Sequence, residues 1–134
     1  VGETENPSVS RMTVTVRGDD TVLAQIMQQL NKLVDVVAVE DLTNTSFVER
    51  ELVMVKVGAG AKRRGEIIEL ASIFRAKIVD LDQKTMTVEV TGAQGKVNAC
   101  IEMLRPYGIE ELVRTGTVAL ARSSRGGGAA SGEE

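Results

Sequence analysis

"MTVEVTGAQGKVNACIEML", residues 86–104, repeats an earlier stretch, "MTVTVRGDDTVLAQIMQQL", residues 12–30, without a gap. Met12 falls on Met86, Val14 on Val88 and Val16 on Val90. That alternation is the period of a strand with one buried face. Gly18 falls on Gly92, where a turn is needed. Leu23, Ile26, Met27 and Leu30 then fall on Val97, Cys100, Ile101 and Leu104. This i, i+3, i+4, i+7 spacing is one face of a helix. A further strand follows each copy: "VDVVAVEDL" (34–42) after the first, and "IEELVRTGTVALAR" (109–122) after the second. Pro106 and Gly108 stop the second helix. Each copy therefore reads β-α-β.

Upstream of the second copy lies a matching half. "ELVMVKV" (51–57) is a strand, and "RRGEIIELASIFR" (63–75) is a helix with Ile67, Leu70, Ala71 and Phe74 on one face. "AKIVDLD" (76–82) is a strand, turned by "QK" and Thr85 into the next one. The order β-α-β-β-α-β predicts an α+β, ferredoxin-like sandwich: an antiparallel sheet with its helices on one face. The first copy is preceded only by "VGETENPSVS". The expected organisation is a partial β-α-β copy over 1–45, a complete domain over 46–122 and a disordered glycine-rich tail over 123–134. Two strands and one helix cover each other poorly, so pairing between subunits is expected.

Composition limits the chemistry. The 134 residues are 43 % apolar but only 2 % aromatic, so the core is aliphatic. A net charge of −3 argues against a general nucleic-acid binder, and the few aromatics remove a base-stacking platform. With no His and a single Cys, His-dependent nucleophilic catalysis and a Cys/His zinc site are excluded. No apolar run approaches transmembrane length, so no membrane partner is expected. One Cys fits a reducing compartment.

The segments "SRMTVTV" (10–16), "QLNKLVDVVAVEDL" (29–42), "FVERELVMVKV" (47–57), "IFRAKIVDL" (73–81), "TVEVTG" (87–92) and "VRTGTVALAR" (113–122) occur in that order. Together they closely resemble the small, regulatory subunit of acetohydroxyacid synthase, also called acetolactate synthase. The resemblance covers residues 8–122. It implies an ACT domain followed by a second, ACT-like domain, and a homodimer or higher oligomer. It implies binding to a catalytic large subunit that holds thiamine diphosphate, magnesium and FAD; no cofactor is expected in this chain. It also implies activation of that partner and feedback inhibition by valine or related branched-chain amino acids, in valine, leucine and isoleucine biosynthesis. The expected compartment is the cytoplasm, with the plastid stroma as the alternative. The family's effector loop, between its first strand and first helix, has no counterpart in these residues. No effector-contacting residue is carried over. The alternative function is a dimerisation or docking module that activates the partner without sensing an amino acid. A stand-alone enzyme ranks third, because the expected acid/base residues are missing.

Within the second domain, "GAGAKRRGE" (58–66) has the layout of a phosphate cradle: strand, glycine loop, basic cluster, helix. Gly58 and Gly60 allow close backbone approach, and Lys62, Arg63 and Arg64 would favour an anion. A P-loop requires Gly-Lys-Ser/Thr, whereas here Lys62 is followed by two arginines. The other reading is a solvated turn from strand to helix. "VERE" (48–51) reads as a polar lead-in with Glu and Arg facing solvent, or as an interaction motif. Asp80, Asp82 and Glu89 read as solvated hairpin carboxylates rather than a metal site. Cys100 sits on the apolar stripe and reads as structural. Met12, Met27, Met86 and Met103 read as gap-fillers or interface residues.

Overall fold

The computed structural model describes residues 1–123; most of the tail expected to be disordered, 124–134, lies outside the described residues. In chain order the elements are β1 (Gly2–Glu3), β2 (Ser10–Arg11), α1 (Asp20–Asn31), β3 (Phe47–Gly58), α2 (Arg64–Ile73), β4 (Lys77–Leu81), β5 (Thr85–Gly92), α3 (Gln94–Leu104), a 3-10 turn (Arg105–Tyr107), β6 (Ile109–Arg114) and β7 (Val118–Ala121). They divide into two compact units: Val48–Ala119, and Val1–Phe47 with, among the described residues, 120–123.

The second unit is the expected sandwich. Its strands run in the order β4-β5-β3-β6, with every neighbour antiparallel. Each β-α-β half is thus split by the central strand of the other: β5 lies between β3 and β4, and β3 between β5 and β6. Register follows the alternation in the sequence. Val53, Val55 and Val57 lie opposite Val90, Val88 and Met86. All six are at most 1 % exposed. The intervening Met54 and Lys56 lie opposite Glu89 and Thr87 on the other face. The helices close the inner face with Ile67 and Ala71 from α2 and with Val97, Cys100, Ile101 and Leu104 from α3. Leu70 and Phe74 pack partly buried against this core.

The helix ends show how the chain turns. Helix α2 stops at Phe74 although no glycine follows. Arg75 takes a left-handed φ of 54°. The amide of Ala76 donates to the carbonyl of Ala71 at 2.7 Å, which satisfies a terminal carbonyl and aims the chain into β4. The single strand expected over 109–122 is two. Gly116, at φ 83°, breaks it into β6 and β7, and both pair with the long β3.

The first unit departs from expectation. Helix α1 forms where the stripe placed it. Asp19 caps it, accepting from the amide of Val22 at 3.0 Å. Gly18, at φ 147°, leads in, and a Cβ there would sit 2.9 Å from the Val22 side chain. The strands expected over 12–16 and 34–42, however, are not formed as sheet strands; among residues 1–46 the one strand pairing is that of β1 with β2. Alternating apolar residues become a strand only against a neighbouring one. In the second unit β3 supplies that neighbour to β5 and β6, whereas the first unit contains no strand equivalent to β3 among the described residues. The consequence is exposure. Met12 is 63 % and Val14 57 % exposed, and no residue of α1 is buried.

Leu104, 1 % exposed on α3, tests which residues carry the second core. Leu104→Ala should destabilise the second unit by about 2–5 kcal/mol in urea unfolding, the usual range for a buried leucine. A variant as stable as the wild type would show that α3 does not cover the sheet.

Candidate functional site

The loop after β3 is held by its backbone. The amide of Gly58 donates to the carbonyl of Gly108 at 3.1 Å, and that of Ala59 to Lys84 at 2.7 Å. Ala59 is buried as a result. A Cβ on Gly58 would lie 3.1 Å from the carbonyl oxygen of Tyr107, whereas Gly60 faces open space. Only the first of these two glycines is thus required by a close approach. The chain then turns, Arg63 donating its amide to Gly60 at 2.9 Å, and enters α2. No side chain caps that helix, so its first N–H groups face outward.

An open groove of about 520 Å³ lies here, lined by residues 58–63 together with Gln83, Lys84 and Tyr107. The structure brings Gly58, Gly60, Lys62 and Arg63 to this groove. Arg64 is elsewhere: its guanidinium donates to the backbone carbonyl of Asp82. The Arg63 guanidinium lies 5.7 Å above the Tyr107 ring. The Tyr107 hydroxyl donates to Glu66 at 2.8 Å, and this bond holds the phenol pKa above its usual value. Among the described residues no carboxylate forms an ion pair with Lys62, Arg63 or Lys84. The groove is therefore suited to negative charge.

Sequence reading did not assign Gln83, Lys84 or Tyr107 to this place. The register does: Thr85 lies opposite Gly58, which brings the β4–β5 turn beside the loop. The lone tyrosine just after Pro106 was the other available signal.

Glu51 corrects the reading of "VERE" as wholly solvent-facing. It points inward and is 5 % exposed. Arg114 grips it through two hydrogen bonds, Nε at 3.0 Å and a terminal nitrogen at 2.7 Å, and the amide of Gly116 adds a third at 3.2 Å. Arg114 also donates to Asn98 on α3 at 2.9 Å. The Arg114 hydrogen bonds hold the Glu51 carboxyl below its usual range, outweighing the opposing effect of burial. A carboxylate at an inward-facing strand position, beside the Gly116 break, is thereby neutralised.

Asp82 has a structural role. Asp82 closes the β4–β5 hairpin, accepting from the amides of Lys84 and Thr85, each at 2.8 Å, and from the Thr85 hydroxyl at 3.1 Å. These bonds, that from Lys84 foremost, lower its pKa. Asp80 and Glu89 join no group of three or more potential metal ligands among the described residues. Burial raises the thiol pKa of Cys100, which favours the unreactive protonated form.

The second unit defines a class: an ACT-like sandwich with a backbone loop and a cationic groove. Comparison with known proteins narrows it. A family model described as the small subunit of acetolactate synthase matches residues 50–123, and one described as the AHAS small subunit-like ACT domain matches residues 1–38. The chain is 53 % identical over 126 residues to a probable acetolactate synthase small subunit of Methanothermobacter thermautotrophicus, covering 93 % of this chain and 75 % of that protein. It is 50 % identical over 125 residues to a probable counterpart in Archaeoglobus fulgidus, covering 93 % and 78 %. The crystal structure of the acetolactate synthase small subunit from Thermotoga maritima superposes with a TM-score of 0.74 at 40 % identity, covering 81 % of this chain and 68 % of that one. This chain belongs to the acetolactate synthase small-subunit family.

Glu51 gives a pH-dependent prediction. Its folded-state pKa lies below the ordinary glutamate value of 4.5, so its contribution is complete above that pH and is lost as pH falls through the folded value. Glu51→Gln should cost about 1–3 kcal/mol at neutral pH, since Arg114 loses a charged acceptor. The gap from wild type in urea unfolding should narrow as the pH drops below 4.5. A gap that is constant with pH would contradict this role.

Proposed function

We propose that the chain is a non-catalytic regulatory subunit. It binds the catalytic subunit of acetohydroxyacid synthase, raises its activity and takes part in feedback inhibition by valine or another branched-chain amino acid. Thiamine diphosphate, magnesium and FAD belong to the catalytic partner in this reading, and the working form is a homodimer or higher oligomer in the cytoplasm. The observation that carries it is the family match over 1–38 and 50–123 at 53 % identity to a relative. A groove lined by backbone and by Lys62, Arg63 and Lys84 is consistent with it.

A specific observation favours the second reading, activation without amino-acid sensing by this chain alone. Valine presents a carboxylate and an ammonium. The groove offers Lys62, Arg63 and Lys84 to the first, but its nearby carboxylate, Glu66, already accepts from the Tyr107 hydroxyl. The second unit thus favours a net anion over a zwitterion.

Reconstitution tests the proposal. Titrating the chain into purified catalytic subunit should give a saturable rise in acetolactate formation, and the chain alone should form none. Absence of any rise at saturating chain would overturn it. Calorimetry of the chain with valine, leucine and isoleucine should show no saturable heat at micromolar ligand. Micromolar binding abolished by substitutions in residues 58–64 would instead make this loop an effector site.

A further inference from the structure

In a chain whose acidic residues outnumber its basic ones by 19 to 16, the groove beside the β3–α2 loop inverts the balance. Of the side chains that line it, Lys62, Arg63 and Lys84 are basic and none is acidic. The charges come from two walls: Lys62 and Arg63 from the loop, and Lys84 from the β4–β5 turn. The walls are tied together. The amide of Ala59 donates to the carbonyl of Lys84 at 2.7 Å, and the Arg64 guanidinium, at the start of α2, donates to the carbonyl of Asp82. The carboxylates nearest in sequence are already engaged. Glu66 accepts from the Tyr107 hydroxyl at 2.8 Å, and Asp82 accepts three bonds from its own turn. Among the described residues, no ion pair cancels the charge of the groove. Cations held on both walls of a connected frame repel one another, and an anion placed between them gains from both walls at once.

We propose that this groove is a binding site for a small organic polyanion, a molecule whose negative groups are set far enough apart to reach Lys62 and Arg63 on one wall and Lys84 on the other. A single carboxylate can engage one wall only, so the spread of charge selects the ligand. The volume of about 520 Å³ is that of a small-molecule site rather than of a lone inorganic ion. The site is not a backbone cradle. The close approach that Gly58 permits is to the carbonyl of Tyr107, so the anion is held by side chains. Arg63 is oriented by the Tyr107 ring at 5.7 Å, a contact that leaves its N–H donors for the ligand. Two lysine point charges and one planar guanidinium suit phosphoryl groups and carboxylates alike, and this shared chemistry defines the class. The inference rests on the charge and frame of the groove, not on the regulatory reading. Reconstitution reports on the catalytic partner and the titration below on this chain alone, so failure of one is distinct from failure of the other.

The test is a calorimetric titration of the whole 134-residue chain at low ionic strength, with inorganic pyrophosphate, citrate and acetate as probes. Pyrophosphate or citrate should bind saturably and at least about tenfold more tightly than acetate, which offers one negative group. The tighter of the two shows whether the site prefers phosphoryl groups or carboxylates. The double variant Lys62→Ala/Lys84→Ala removes a cation from each wall and should weaken the tighter probe by about tenfold or more. Lys77→Ala/Lys96→Ala removes the same charge from β4 and α3, outside the groove, and should change binding by less than about twofold. Both variants should keep the thermal transition of the wild type, showing that they remain folded. Absence of saturable heat with both polyanions, equal weakening by the two double variants, or acetate binding as tight as that of the polyanions would each overturn the proposal.

Discussion

The second unit depends on β3. It lies at the centre of the sheet, between β5 and β6, and also pairs with β7. Its inward side chains Val53, Val55 and Val57 are fully buried, and both helices pack over that face. The same strand ends in the loop that forms the groove, where the amides of Gly58 and Ala59 tie it to Gly108 and Lys84. At the other end, Glu51 ties β3 to β6 through Arg114 and to the break at Gly116. A one-residue slip of β3 would expose all three valines and bury Met54 and Lys56 instead, which is why the register is strongly specified.

The first unit shows the converse. Its sequence has the same alternation and the same helical stripe, and the helix forms from local signals: the Asp19 cap and the Gly18 entry. Its strands do not form, because a strand is a property of a pair. Helix propensity is satisfied within twelve residues of chain, whereas sheet pairing needs a partner at long range.

This difference also marks how far the sequence could be read. The sandwich, its element order and both helical stripes were legible because they rest on periodicity. The division of 109–122 at Gly116 was not, since a single glycine within a strand pattern fits a bulge as well as a break. Glu51 was misread because charge normally marks solvent exposure, and its partner Arg114 is far away in sequence. The loop residues Gly58, Gly60, Lys62 and Arg63 were found from their local pattern, while Lys84 and Tyr107 reach the groove only through strand pairing. Arg64 belongs to the same basic run, yet it is spent on the Asp82 carbonyl. The family was legible through the longer segments, since a groove of backbone and cations has no motif of its own.

The central claim is that one strand organises the second unit, while the aligned strand of the first copy lacks such a partner within these residues. Native-state hydrogen exchange, followed residue by residue at several protein concentrations, tests it most directly. The amides of Val53, Val55 and Val57 should be among the slowest in the chain, exchanging only through global opening of the second unit at a rate independent of concentration. The amides of Val14 and Val16, in a segment that forms no strand, should exchange much faster through local opening. Fast, local exchange in β3, or protection of Val14 and Val16 equal to that of β3 at every concentration, would contradict the account.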